Sequence, residues 1–116
     1  MHMKNKLEQF KLASYRVSYG ISAPYNEKIY DIVRQFISVI EKENLEKQSN
    51  IFLGHDGEVR VCIYANKFHM EFTVETDLSI TYFKDVYLGT IECIENIDIT
   101  SAFNKIRQFN NIGITI

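Results

Sequence analysis

The chain has 116 residues, 46% of them hydrophobic and 24% charged, with thirteen Lys and Arg against fifteen Asp and Glu. That length suits one domain and leaves little room for two, and the apolar fraction excludes a disordered chain. A net charge of -2 lacks the basic excess that phosphate neutralisation requires, so nucleic acid is not an expected partner.

Residues 1–116 are therefore read as a single domain. Folding should bury roughly two-thirds of the open chain's surface, enough for a core without staples. No apolar run approaches the ~20 residues that cross a bilayer, and the opening MHMKNKLEQF has no apolar signal region. A membrane partner is not expected either. Only Cys62 and Cys93 are present, and they form no CxxC pair. With no export signal, the expectation is reduced thiols in a cytoplasmic protein.

In chain order, residues 4–14 form a short helix with Leu7, Phe10 and Ala13 on one side. Lys4, Lys6 and Lys11 read as its solvated face. Gly20 marks a turn. Pro24 suits the first turn of a longer helix, with Ser22 or Ala23 as its cap. Over 24–47, Ile29, Ile32, Val33, Phe36, Ile37 and Ile40 recur at helical spacing.

Beyond that helix the period changes to two. Ile51 to Leu53 supplies an edge strand before a turn at His55-Asp56-Gly57. Val59, Val61, Ile63 and Ala65 then alternate with polar neighbours, as do Phe68, Met70, Phe72 and Val74. Only Asn66 and Lys67 separate the two runs, which fits a tight hairpin. That loop sets Ala65 opposite Phe68, Ile63 opposite Met70, Val61 opposite Phe72 and Val59 opposite Val74. Every pair is apolar, and a slip of one residue would turn apolar side chains into water. A turn at Thr76-Asp77-Leu78 leads to a strand at 79–84, placing Ile80 and Tyr82 inward beside Val74 and Phe72. Residues 86–94 read as another strand with a bulge at Gly89. A helix from Asp98 to Phe109 closes the chain, capped by Asp98 or Thr100, with Ile99, Ala102, Phe103, Ile106 and Phe109 inward.

Strands grouped together, rather than alternating with helices, mean α+β. The expected architecture is a single antiparallel β-meander of four to five strands, flanked by two N-terminal helices and one C-terminal helix.

Chemistry-bearing motifs are few. Neither HExxH nor paired CxxC occurs, so no metal site is expected. The absence of GxxxxGK[ST] and GxGxxG leaves no phosphate cradle, and no cofactor is assigned. Cys62, His69 and Glu71 share one outward patch, but a nucleophile needs an oriented base and a cleft that excludes water. Cys62 is read there as a small filler, and no catalytic residue is assigned. Tyr64 and Phe83 also fall outward near His69. Stacked single-stranded nucleic acid would need a basic groove beside them, where only Arg60 supplies charge. Aromatics and Arg suit a protein contact better. The competing expectation is that the N-terminal helix covers this face.

Two stretches, Ser18-Tyr19-Gly20-Ile21-Ser22-Ala23-Pro24 and Asp56 to Tyr64 (DGEVRVCIY), resemble a family of small, uncharacterised bacterial α+β proteins. That family carries a Trp-Asp-Gly-Tyr-like segment before a Pro and a helix, then an Asp-Gly turn that starts a strand ending near Trp. Both tryptophans are absent here, and Tyr64 is the stand-in for one. The resemblance implies an α+β fold and no particular activity.

The first functional expectation is a protein-binding module that blocks a partner protein, such as an antitoxin, an immunity protein or a phage-encoded inhibitor. Arg60, Tyr64, His69, Glu71 and Phe83 are its candidate contact residues, and the same face would allow a homodimer. The second is a small-molecule or enzymatic domain, with a pocket between sheet and helix and Cys62, His69 or His55 at its mouth.

Overall fold

A computed structural model describes residues 2–21, 23–89 and 91–109. Helix α1 spans His2–Phe10 and α2 Ala13–Ser18. Helix α3 follows at Glu27–Lys42, and a single 3-10 turn at Glu46–Gln48 leads into the strands. These are β1 (Ser49–Leu53), β2 (Val59–Tyr64), β3 (Phe68–Val74), β4 (Ile80–Val86) and β5 (Ile91–Ile94). Helix α4 spans Ile99–Arg107. The strands form one antiparallel meander in the order β1-β2-β3-β4-β5, so the α+β reading holds.

The hairpin register is the expected one. Val59 pairs with Val74, Val61 with Phe72 and Ile63 with Met70, while the Ala65 amide donates to the Phe68 carbonyl at 2.9 Å. Across β4, Phe72 pairs with Tyr82 and Val74 with Ile80. These side chains make the inner face, and the buried stripe of α3 packs on it. Phe36 sits at the centre, its ring 5.1 Å from Phe72 and 5.0 Å from Phe103.

The helix ends differ from expectation, and caps explain why. The long helix starts at Glu27, not Pro24, because the Asn26 side chain accepts from the Lys28 amide at 3.0 Å. Ala23 is therefore not its cap, and Ser22 lies outside the described residues. The helix stops at Lys42 because Asn44 takes a left-handed φ of 59°. The Leu45 amide then reaches back to the Ile40 carbonyl at 3.0 Å, and Leu45 is buried against the core.

The first helix also ends early, at Phe10. Arg16 of α2 donates to the Phe10 and Lys11 carbonyls at 3.4 and 3.0 Å, satisfying groups that a longer helix would have used. Met3, Leu7 and Phe10 form the buried stripe of α1, and Ala13 is exposed. The expected strand at 86–94 is split instead. Tyr87 to Gly89 make a turn between β4 and β5, with Leu88 at a φ of 56°. Gly89 is thus a turn residue and no bulge. At the C-terminal end, Asp98 caps α4 by accepting from the Ser101 amide at 2.6 Å. Thr100 lies exposed within that helix.

Gly57 sits at a φ of 92°, and a Cβ there would come within 3.1 Å of the Ala23 side chain. The Asp56-Gly57 turn therefore abuts the stretch that precedes Pro24. These are the two segments that carry the family resemblance.

Candidate functional site

The pleat that turns Val61, Ile63, Met70 and Phe72 inward turns their neighbours to the opposite face. On that outer face Arg60 pairs with Thr73, Cys62 with Glu71, and Tyr64 with His69. The rows continue across β4, where Glu71 pairs with Phe83 and His69 with Asp85. They end on β5, with Cys93 beside Phe83 and Ile91 beside Asp85. Sheet register alone thus gathers Arg60, Tyr64, His69, Glu71 and Phe83 into one contiguous patch.

Aromatic rings run along the middle of this patch. The His69 ring lies 6.0 Å from Tyr64 on one side and 6.0 Å from Phe83 on the other. Tyr64 is 44% exposed. Arg60 and Glu71 form an ion pair at 3.7 Å, a half-exposed contact of the kind that contributes ~1 kcal/mol or less.

The N-terminal helix does not cover the patch. Its apolar stripe points into the core, and Lys6 reaches around the β1 edge. Lys6 Nζ donates to Asn50 Oδ1 at 3.1 Å and stands 4.5 Å from the Phe52 ring centre. His2 Nε2 also meets the Ser49 carbonyl at 3.0 Å, so α1 shields that edge of the sheet and leaves the outer face open.

Cys62 breaks the alternation, being only 2% exposed on an otherwise open face. Its thiol donates to Glu71 Oε1 at 3.5 Å. Burial, reinforced by the Glu71 charge, pushes its pKa up to about 11. A thiol held protonated in this way is a poor nucleophile. The Tyr64 phenol beside it is also raised, to about 12, by burial and then by the neighbouring thiol.

The pocket expected between sheet and helix does not contain the residues expected at its mouth. Cys62 and His69 lie on the face turned away from the helices. His55 sits exposed in the β1–β2 turn, at the end of β2 opposite Tyr64. Pleat direction sets the first two, and hairpin connectivity sets the third.

Sequence reasoning missed Asp85, Tyr87 and Ile91. Continuing the alternation from Phe83 would have placed Asp85 outward. Tyr87, 72% exposed, required knowing that the chain turns there. Its amide donates to the Lys67 carbonyl at 2.6 Å, tying the β4–β5 turn to the β2–β3 loop. Between these loops lies a shallow recess of about 210 Å³ lined by Tyr64, His69, Asp85 and Tyr87 among others.

Among the described residues, no group of three or more His, Cys, Asp and Glu is arranged to hold a metal ion. No described helix is long and apolar enough to cross a membrane. Comparison with protein-family models, with curated proteins and with solved structures finds no match.

Proposed function

We propose that the chain is a protein-binding module that inhibits or neutralises a partner protein through the outer face of its sheet. A cytoplasmic antitoxin, immunity protein or phage-encoded inhibitor is the type that fits. The observation that carries this reading is the open, contiguous row of Tyr64, His69 and Phe83, flanked by the Arg60–Glu71 pair. An exposed Tyr64 beside the half-buried rings of His69 and Phe83, with charges at the margin, matches the composition of contact hot spots. The raised pKa of Cys62 weighs against a thiol-based enzyme on the same face.

The test pairs the wild-type chain with a Tyr64→Ala/Phe83→Ala double variant as baits in source-cell extract. The wild type is expected to retain a stoichiometric partner and to inhibit its activity, and the double variant to lose both. A partner held equally by both baits would show that the face is wrong. A partner bound but not inhibited would make the chain a structural subunit, and a clean monomer or homodimer in light scattering would refute the reading.

A further inference from the structure

The recess at one end of the outer face carries one carboxylate, Asp85, and one ammonium, Lys67, that do not pair with each other. Phe68, buried, is part of its lining, and the rings of Tyr64 and Tyr87 stand exposed around it. His69 and Asp85 are paired neighbours on β3 and β4. Further along the face Arg60 and Glu71 form an ion pair, and the Glu75 carboxylate accepts from the Thr81 hydroxyl at 3.1 Å. Asp85 is half-buried, and among the described residues its carboxylate has no ion pair and accepts no hydrogen bond. Lys67 lines the same recess but is exposed and forms no ion pair with Asp85.

Two phenol rings beside an unpaired carboxylate favour a cation over any other occupant. The ring faces attract positive charge through their quadrupoles, and the carboxylate adds a charge-assisted hydrogen bond. A guanidinium satisfies both demands at once, since it is planar enough to stack on a tyrosine and forked enough to bridge a carboxylate. An ammonium supplies only the point charge. A chain of net charge -2 would also draw a basic partner towards it.

We propose that the recess bounded by Tyr64, Tyr87, His69 and Asp85 is the seat of an arginine side chain of the partner protein. This rests on the outer face being the partner-binding surface, and it names the chemistry of the residue that face receives. Asp85 holds the guanidinium, and the two tyrosines flank it. The Lys67 ammonium has the same sign as the guest and opposes it from the rim.

The experiment uses the free, isotope-labelled chain and N-acetyl-L-arginine amide as the probe, followed by amide shifts in NMR. Shifts should concentrate at Tyr64, His69, Asp85 and Tyr87, with weak saturable binding. The neutral N-acetyl-L-citrulline amide should produce almost none. Asp85→Asn should weaken the arginine probe about fivefold, and Lys67→Ala should leave it unchanged or tighten it about twofold. Equal shifts with citrulline, no loss in the Asp85 variant, or tighter binding of inorganic phosphate would each overturn the proposal. Because no partner is needed, a silent titration would sink the arginine seat even where the Tyr64/Phe83 variant still loses its partner. A specific titration would uphold the seat even if no protein is ever captured.

Discussion

The two faces of β2 and β3 are made from alternate residues of the same strands, and they obey different rules. Inside, Val59, Val61, Ile63, Phe68, Met70, Phe72 and Val74 are all buried, and what matters is apolar volume that fills the space under α3. Outside, Arg60, Tyr64, His69 and Glu71 are half-buried or exposed, and their chemical identities differ from residue to residue. Nothing in packing demands an imidazole between two aromatic rings on an uncovered surface. The inner face therefore accounts for the fold, and the outer face is where a function has room to reside.

The largest expected effect tests that division directly. Phe72 lies 5.1 Å from Phe36 and 5.2 Å from Tyr82, ring to ring, so Phe72→Ala opens a cavity in the middle of the core. Urea denaturation should show a loss of about 3–5 kcal/mol, a large part of the roughly 5–15 kcal/mol that domains of this size possess. Phe83→Ala, one strand away on the other face, should cost about 1 kcal/mol or less. Similar losses for both would mean that the outer face is covered in solution, and the comparison would collapse.

The next effect separates the two thiols. Cys93 is exposed, whereas Cys62 is buried beside Glu71 with its pKa pushed up to about 11. The sign is that of an acid whose charged form is disfavoured, so Cys62 remains protonated until the pH approaches that value. At about pH 8 its thiolate fraction is lower than that of an ordinary thiol by on the order of 100-fold. Iodoacetamide followed by peptide mass spectrometry should label Cys93 first, with Cys62 accelerating about tenfold for each unit of added pH. Rapid labelling of Cys62 at neutral pH would restore thiol chemistry to the outer face.

The hairpin was legible from the sequence because two independent signals agreed: a two-residue loop, and apolar side chains at every second position on both sides of it. Those signals also placed Tyr64, His69 and Glu71 on one face, and the alternation of the next strand added Phe83. Helix ends were less legible. Pro24 and Asn26 both carry helix-start chemistry, and only the bond from the Lys28 amide shows which one acts. The β4–β5 turn was hidden because Leu88, at a φ of 56°, belongs to a residue type that rarely marks a left-handed turn. Asp85 and Tyr87 were missed with it. Whether the outer face is covered was not legible at all, since it depends on where α1 packs, and an amphipathic helix fits either side of a sheet until the core is built.

The smallest effect sharpens the inner side of the comparison at the one tyrosine of β4 that points inward. The Tyr82 ring is fully buried, and among the described residues its hydroxyl has no hydrogen-bond partner. Burial, followed by the charge of Glu92, pushes the phenol upward in pKa. Glu92 Oε1 forms an ion pair with Lys105 at 3.6 Å, and the Lys105 ammonium stands 5.2 Å from the centre of the Tyr82 ring. A buried donor that has lost water and gained no partner costs free energy, so removing it while keeping the ring should help. Tyr82→Phe is expected to raise stability by about 1 kcal/mol in urea denaturation, with the ring still packed on Phe72. A loss of similar size would instead mean that Glu92 or a water satisfies the hydroxyl in solution, and that the inner face contains a polar anchor at the edge of an otherwise apolar layer.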